Sequence, residues 1–394
     1  MSERCRMMLV GVGGAGCQSL GRLRRDWPDG PDMLALHTDP AVLAACGLER
    51  AVALGPVVTR GLSSGGDLML GARAAEESED AVRPLFAGAD LVFVVAGLGG
   101  GTGGGATPAV CRWARREGAM VLAICTLPFF FEGTQRRQFA EDALQQVREA
   151  ADAVLVIPNQ RLLDRPGESL PVLGAFKRVD DFVAAGIRAL WRVLSQTGLI
   201  NLDFADLRRL VAVSDGVLTL AVSEGRGADR ARQALEGLSV HPMMGRGDVL
   251  RAARALLVGI AGGPDMTLTE LQDLLTEITA SARPDVDLHI GTSVASEYAG
   301  RLVLTVLATE QLAAPAAAAP ATVEHPAVEE APPAAAPAAD AAESARRAAR
   351  IVQGRLPLES SGRGRFNNVE PTLYDGEDLD VPTFLRRGIR LSTA

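Results

Sequence analysis

Residues Leu91 to Pro108 read LVFVVAGLGGGTGGGATP, and this segment carries the pattern on which the fold depends. Its first six residues are apolar and rich in valine, which predicts a strand buried on both faces. Six glycines follow between Gly99 and Gly105, interrupted only by Thr102, and a helical pattern begins near Ala109. The sequence therefore predicts a buried strand, a glycine loop and a helix in succession.

The glycine loop favours a phosphate ligand. Glycines leave backbone amides unobstructed, and the N-terminus of a following helix carries partial positive charge. A flexible turn is the alternative, but glycine loses more conformational entropy on ordering than any other residue. The loop contains no lysine, since the chain's one lysine is Lys177, so it does not fit the Walker pattern of a P-loop.

Composition sets the broad class. The chain has 394 residues, of which 47% are hydrophobic, enough for two domains and a tail. A net charge of −8 argues against direct binding of nucleic acid. The five cysteines show no CxxC spacing and no apolar run reaches the roughly 18 residues of a membrane helix. We expect a cytoplasmic protein that does not insert into membranes.

A second glycine pattern lies near the N-terminus. Residues Met7 to Gly16 end in GxGxxG, which alone is compatible with a nicotinamide enzyme, and Asp39 stands roughly where such an enzyme has a ribose-binding acid. A helical pattern follows from Cys17. Two glycine loops after two parallel strands, however, can enclose a triphosphate from both sides. The pair of loops therefore favours a nucleoside triphosphate.

Two further segments could border this site. TRGLSSGG, residues 59–66, offers hydroxyls and unobstructed backbone, or is an ordinary surface turn. The run LPFFFEG, residues 127–133, contains three consecutive phenylalanines, which cover ligands or fill cores. We expect core packing for at least two of the three.

Apolar residues recur at helical spacing from Val172 to Leu194, which predicts a long and mostly buried helix. Phe176 and Asp180 are four residues apart and share a face, so a ring and a carboxylate could together contact a guanine base. A solvated aspartate is the alternative. Beyond this helix, Asp203 and Asp206 could hold a cation or orient water, or could be a helix N-cap and a first-turn acid.

The remaining sequence divides by composition. Residues 207–310 alternate strand and helix patterns and predict a second α/β domain. Alanine, proline and glutamate dominate from 311 to about 339, which predicts a disordered linker. A short helix is possible at 340–354. The segment EDLDVPTFLRR, residues 377–387, combines apolar and basic residues in a composition suited to docking on a partner.

These motifs together resemble the FtsZ family, the bacterial homologues of tubulin. GLGGGTGGGATP is similar to the family signature GGGTGTG, PFFFEG to PFNFEG, IPNQRLL to IPNDKLL, NLDFADL to NVDFADV, and DLDVPTFLRR to the family's C-terminal peptide. The resemblance implies an α/β, tubulin-like fold: a Rossmann-like GTPase domain (1–171), a long central helix (172–197), a synergy loop with an α+β C-terminal domain (198–310), a disordered linker (311–375) and a partner-binding peptide (376–394).

The resemblance also implies site residues. GTP or GDP, with Mg²⁺ and K⁺ as candidate cations, would be bound by Gly13, Gly14, Gln18, Gly99, Gly100, Gly101, Thr102, Gly103, Glu132, Arg136, Asn159, Phe176 and Asp180. The catalytic synergy-loop residues would be Asn201, Asp203 and Asp206. The tail contacts would be Asp380, Pro382, Phe384, Leu385 and Arg386, and no residue is directly assigned to a metal.

The implied function is a GTPase that polymerises head to tail at the midcell division ring and is held to a membrane tether by its C-terminal peptide. The residues supply a reason for polymerisation, because the long helix places Asp180 and Asp203 roughly 25 Å or more apart. A non-catalytic filament protein or division regulator is the alternative. Gly104 replaces a threonine of the signature, Cys17 and His37 stand where asparagine is common, and Phe130 replaces the asparagine of PFNFEG.

Overall fold

The computed structural model describes residues 5–163, 170–195, 200, 202–214 and 216–309, together with the backbone pairs 373–374 and 377–378. Between residues 5 and 309, the described strands join in one sheet in the order β3-β2-β1-β4-β5-β6-β7-β10-β8-β9. The strands are β1 Met7–Val12, β2 Asp32–His37, β3 Ala51–Ala53, β4 Leu91–Gly97, β5 Met120–Leu127, β6 Ala153–Pro158, β7 Val217–Arg226, β8 Ala255–Gly262, β9 Asp287–Val294 and β10 Arg301–Thr309.

The sheet has a parallel half and a mixed half. Strands β1 to β6 pair in parallel throughout, as buried valine-rich strands of doubly wound folds do. In the other half, β10 runs antiparallel to both β7 and β8, whereas β8 and β9 are parallel. The halves join through a short parallel pairing of β6 with β7 at Val154 and Leu155. The predicted α/β fold class is confirmed.

Helices cover both faces of the sheet. They are α1 Gly13–Asp26, α2 Pro40–Cys46, α3 Pro56–Thr59, α4 Leu68–Glu77, α5 Glu79–Val82, α6 Gly101–Arg116, α7 Thr134–Ala150, α8 Val172–Ser195, α9 Phe204–Val213, α10 Arg230–Ser239, α11 Asp248–Ala252 and α12 Leu268–Ser281. Short 3₁₀ segments lie at Arg83–Phe86, Phe130–Glu132, Asn159–Leu162, Pro242–Gly247 and Ser296–Tyr298. Within the described ranges, no helix combines the length and apolarity needed to cross a bilayer.

Two predicted helix starts are wrong. Helix α6 begins at Gly101 rather than near Ala109, and α1 begins at Gly13 rather than Cys17. Glycines are tolerated inside α6 because they allow α4 to approach closely. A Cβ on Gly105 would lie 2.1 Å from the backbone oxygen of Leu68, and a Cβ on Gly71 would lie 2.1 Å from that of Gly101. Close packing of two helices thus explains glycines that propensity alone disfavours.

The core lies on both faces of the parallel half. Leu91, Phe93 and Val95 of β4 point toward the layer that contains α1 and α8, while the alternate residues Val92 and Val94 point toward α6 and α7. This alternation on a strand buried on both faces is what the run LVFVVA predicts. A third cluster packs α10 and α12 against β8 and β10.

Helix α8 confirms the predicted long helix, with 24 residues. It buries one stripe, which includes Val179, Val183, Ile187 and Leu190, so the expectation of a mostly buried helix is only partly correct. Leu173 departs from the expected pattern, since 84% of it is exposed.

Internal contacts divide the chain into residues Met1–Ala319 and Pro320–Ala394. In the second unit, the described strands Leu373–Tyr374 and Glu377–Asp378 pair antiparallel. The rest of the predicted linker, the short helix at 340–354 and the tail residues Asp380, Pro382, Phe384, Leu385 and Arg386 lie outside the described residues. The division of residues 1–310 into three parts stays a prediction.

Candidate functional site

A cleft of about 1280 Å³ opens at the carboxyl ends of the parallel strands, where ligands bind in open α/β sheets. Loops after β1, β2, β4, β5 and β6 form its walls, and α8 forms one side. The predicted binding residues that line it are Gly14, Gln18, Gly100, Gly101, Thr102, Gly103, Glu132, Arg136, Asn159, Phe176 and Asp180. Segments that are far apart in sequence therefore meet at one site.

Two predicted residues lie behind or beside this cleft. Gly13 has φ +75°, and a Cβ there would lie 2.7 Å from the Cα of Gly103, so the two glycine loops pack directly on each other. Gly99 borders a smaller adjoining cleft of about 420 Å³ together with Gly100 and Arg136. Both glycines shape the loops without lining the main cleft.

Two helix N-termini face the cleft. The N-cap residues are Val12 for α1 and Gly100 for α6, and neither helix start receives a side-chain cap. Helical bonding in α6 begins with the Gly104 N–H, which donates to the Gly100 oxygen at 2.8 Å. The first-turn amides before Gly104 remain for a ligand. Because the Gly104 amide is bonded within α6, not all six glycines of the loop offer a free amide to an anion.

Three buried hydroxyls connect the loops. Thr102 Oγ1 lies 3.0 Å from Thr38 Oγ1 and 2.9 Å from Ser64 Oγ, and all three side chains are buried. Ser64 belongs to the segment 59–66, which could have been a surface turn. Its burial against the signature threonine supports the alternative, that this segment borders the site.

His37 lines the same end of the cleft. Its Nδ1 accepts a hydrogen bond of 2.8 Å from the Asp39 N–H, so the neutral ring carries its proton on Nε2. The side chain is 5% exposed, and burial lowers its pKa below the usual value of 6.5. Asp39 does not line the cleft; it caps α2 by accepting from the Ala41 N–H at 2.8 Å. The ribose-binding role considered for a nicotinamide enzyme is therefore wrong for Asp39.

The other end of the cleft carries groups suited to a base. Phe176 of α8 packs edge-on against Phe129, with ring centroids 5.1 Å apart. Asp180 accepts a hydrogen bond of 2.6 Å from Ser19 Oγ and forms an ion pair with Arg22. Asn159 is 7% exposed, and its buried Oδ1 has no hydrogen-bond partner among the described residues. A buried acceptor and a carboxylate that line the same cleft fit a ligand with N–H donors, as guanine has.

Glu132 and Arg136 hold the loop that follows β5. Glu132 Oε1 accepts from the Phe129 N–H at 2.8 Å, and Oε2 lies 3.1 Å from Arg136 Nη1. The expectation that at least two of the three phenylalanines are core residues is wrong: Phe129 is fully buried, but Phe130 and Phe131 are 62% and 60% exposed. The 3₁₀ turn at Phe130–Glu132 places them outside the core.

Asp203 and Asp206 form a capping box at the start of α9. Asp203 Oδ1 accepts from the Ala205 and Asp206 amides at 2.8 and 3.1 Å, and Asp206 Oδ2 accepts from the Asp203 N–H at 3.0 Å. The structural role considered for these acids is therefore present. Neither acid lines the cleft. The third predicted catalytic residue, Asn201, lies outside the described residues.

The sheet order sets the distance between these acids and the cleft. Asp206 contacts His289 of β9, and β9 lies six strand positions from β4, the strand that leads into the glycine loop. At about 4.8 Å per strand, β4 and β9 are about 29 Å apart across the sheet. The cleft and the acids are therefore on different parts of the subunit.

Among the described residues, no three His, Cys, Asp or Glu side chains come together as a metal site. The part of the chain that the structure describes thus offers no acidic or imidazole cage for the Mg²⁺ or K⁺ that the resemblance implies.

Several site residues were missing from the sequence prediction. Ser19 and Arg22 share a face of α1 at i, i+3 spacing, a pattern that could have indicated a common contact. His289 lies on strand β9, and no local sequence pattern relates it to Asp206, which is 83 residues away.

Comparison with known proteins assigns a class to this arrangement. Residues 6–165 match the GTPase domain of the tubulin and FtsZ family, and residues 216–311 match the C-terminal domain of the FtsZ family. The protein is thus a GTPase of the tubulin and FtsZ class.

Comparison with individual relatives identifies the family within this class. Cell division protein FtsZ 1 of Archaeoglobus fulgidus is 37% identical over 302 residues, which cover 76% of this chain and 81% of the relative. Cell division protein FtsZ of Pseudomonas aeruginosa is 31% identical over 398 residues, with 98% of both chains covered. The solved empty FtsZ dimer of M. jannaschii superposes with a TM-score of 0.72 at 28% identity, covering 79% of this chain and 89% of that one. The chain belongs to the FtsZ family of cell division proteins.

Proposed function

We propose that this protein binds GTP in the cleft and hydrolyses it when subunits associate head to tail into filaments. The observation that carries the proposal is the separation of about 29 Å between the strand preceding the glycine loop and the strand beside Asp206. One nucleotide cannot contact both places within a subunit.

The cleft supplies the groups that would bind the nucleotide. The starts of α1 and α6 favour the negatively charged phosphates, and the glycine at Gly100 leaves open space, since a Cβ there would meet nothing within 4 Å. At the other end, Asp180 and Asn159 Oδ1 accept hydrogen bonds from the guanine edge while Phe176 packs beside the ring. Glu132 and Arg136 also line the cleft, and in this proposal Glu132 binds the ribose.

The position of Asp203 and Asp206 explains why hydrolysis would require subunits to associate. Asp203 is exposed, and Asp206 is partly exposed at the start of α9. They reach a nucleotide only in a neighbouring subunit, through a contact between two different surfaces. Such a heterologous contact does not close on itself and produces a filament.

Catalysis then occurs at the contact between subunits. The incoming carboxylates of Asp203 and Asp206 orient a water molecule toward the γ-phosphate, and amides at the start of α6 stabilise the negative charge that develops on the phosphate oxygens. The proposal extends to Asn201, which precedes Asp203 by two positions in the sequence.

The C-terminal peptide supplies attachment. The contacts with a membrane tether or other division protein come from Asp380, Pro382, Phe384, Leu385 and Arg386. The proposed site of this attachment is the division ring at midcell.

Turnover of GTP measured against protein concentration, with pelleting of the same samples, tests the proposal. We expect activity only above a threshold concentration at which polymer appears. Turnover proportional to concentration from zero would place all reacting groups within one subunit. Polymer without turnover would favour the non-catalytic filament protein.

A mixing experiment tests the shared site directly. Asp206→Ala lacks the incoming acid and Asp180→Ala lacks a base contact, so each alone should turn over slowly. An equal mixture that pellets together should regain about one quarter of wild-type turnover, because one contact in four joins an intact cleft to an intact acid. No recovery in a mixed polymer would contradict a shared site.

A further inference from the structure

We infer that His289 is a positioning residue for GTP hydrolysis, which holds the Asp206 carboxylate in the orientation that the neighbouring subunit's nucleotide requires. This inference rests on the proposed role of Asp206. His289 lies on β9, and its side chain is 9% exposed. Its Nδ1 lies 3.1 Å from Asp206 Oδ1, and its Nε2 lies 3.2 Å from Asp287 Oδ2.

The Asp206 carboxylate is held at both oxygens. Oδ2 accepts from the Asp203 N–H at 3.0 Å, and Oδ1 faces the imidazole. Arg209 adds a longer contact, with its Nη1 3.9 Å from Oδ1. The backbone contact fixes the carboxylate along the helix, whereas the histidine fixes its rotation about the bond to Cβ. A carboxylate that must meet a water in another subunit gains from both restraints.

Asp287 is the second carboxylate in contact with the imidazole. A neutral imidazole has one N–H and donates to one of its two carboxylates, while the imidazolium donates to both. Asp287 is 55% exposed, so water can replace its contact, but Asp206 is only 20% exposed. The contact that matters for orientation is therefore the one from Nδ1 to Asp206.

Two substitutions of His289 by amide side chains distinguish the contributions of its two ring nitrogens. The side-chain nitrogen of Asn lies close to the position of Nδ1, and that of Gln reaches the position of Nε2. His289→Asn should therefore keep the donor to Asp206, and His289→Gln should keep only the donor to Asp287. Both variants remove the ring, so a loss caused by packing alone affects them alike.

The experiment is GTP turnover per pelleted subunit at saturating GTP, measured together with the threshold concentration for assembly. We expect His289→Gln to lower turnover about tenfold with an unchanged threshold, and His289→Asn to keep it within about threefold of wild type. Asp287→Asn should also stay near wild type. Equal turnover in the Gln and Asn variants, high or low, would overturn the inference.

Asp206→Ala, assayed in parallel, separates this inference from the proposed function. We expect it to lower turnover per pelleted subunit about a hundredfold. If Asp206→Ala retains wild-type turnover, the proposed function itself fails. If Asp206→Ala is slow but His289→Gln is not, only the role of His289 fails.

Discussion

Asp180 of α8 forms an ion pair with Arg22 of α1 in the cleft, and Ser19 donates a second hydrogen bond to the same carboxylate at 2.6 Å. The carboxylate that we propose for recognition of guanine is therefore already engaged by α1. A base that donates to Asp180 must replace Arg22 or share the carboxylate with it.

Arg22→Met should strengthen GTP binding. The Arg22 side chain is 44% exposed, and an exposed ion pair stabilises by about 1 kcal/mol or less. Removing Arg22 as a competitor for the Asp180 carboxylate should therefore raise the affinity for GTP by at most roughly fivefold. Isothermal titration with GTP measures the change. Arg25→Met is the matched control, because Arg25 lies on the same helix and also lines the cleft. If Arg22→Met weakens binding while Arg25→Met does not, Arg22 contacts the base instead.

Two glycines of the signature segment should respond differently to one added methyl group. A Cβ on Gly105 would lie 2.1 Å from the Leu68 backbone oxygen, so Gly105→Ala should reduce the free energy of unfolding by about 3 kcal/mol. A Cβ on Gly100 would meet nothing within 4 Å, so Gly100→Ala should unfold like wild type but bind GTP about tenfold more weakly. Urea unfolding and GTP titration of both variants check this. Equal stability of the two variants would contradict the close packing of α4 on α6.

These glycines also show how far the sequence can be interpreted. The run LVFVVA and the glycines after it correctly predict a buried strand that leads into a loop at the carboxyl edge of a parallel sheet. They do not show which glycines serve the ligand and which serve helix packing, because that depends on α4, whose residues lie more than twenty positions earlier. The predicted start of α6 was wrong for the same reason.

Asp203 and Asp206 show a second limit of prediction from sequence. Asp203 and Asp206 match both a capping box and a catalytic pair by spacing alone, and the capping contacts are present. Their distance from the cleft depends on the strand order, which local patterns do not contain. Contacts such as those of Asp180 with Arg22 and of Asp206 with His289 join residues more than 80 positions apart, and no periodicity predicts them.

Protonation of His37 should destabilise the protein. Burial lowers the pKa of His37 in the folded state below its usual 6.5, so the unfolded chain binds the proton more tightly. The free energy of unfolding should therefore fall as the pH drops below about 6.5, and level off once the pH lies below the folded-state pKa. His37→Asn does not titrate and should lose this part of the pH dependence. Urea unfolding of both proteins between pH 8 and pH 5 measures the difference, and parallel curves would contradict it.

Asp203→Asn can separate the two roles of the residue. Asparagine caps helices about as well as aspartate, whereas alanine loses the contacts to the Ala205 and Asp206 amides and should cost about 1 kcal/mol. If the charge of Asp203 acts on the neighbouring subunit's nucleotide, Asp203→Asn should keep the stability and lose turnover per pelleted subunit. If Asp203 is only a cap, the asparagine variant should match wild type in both measurements, and only Asp203→Ala should change. Because the two variants differ in capping but share the loss of charge, a drop in turnover common to both cannot come from the helix start.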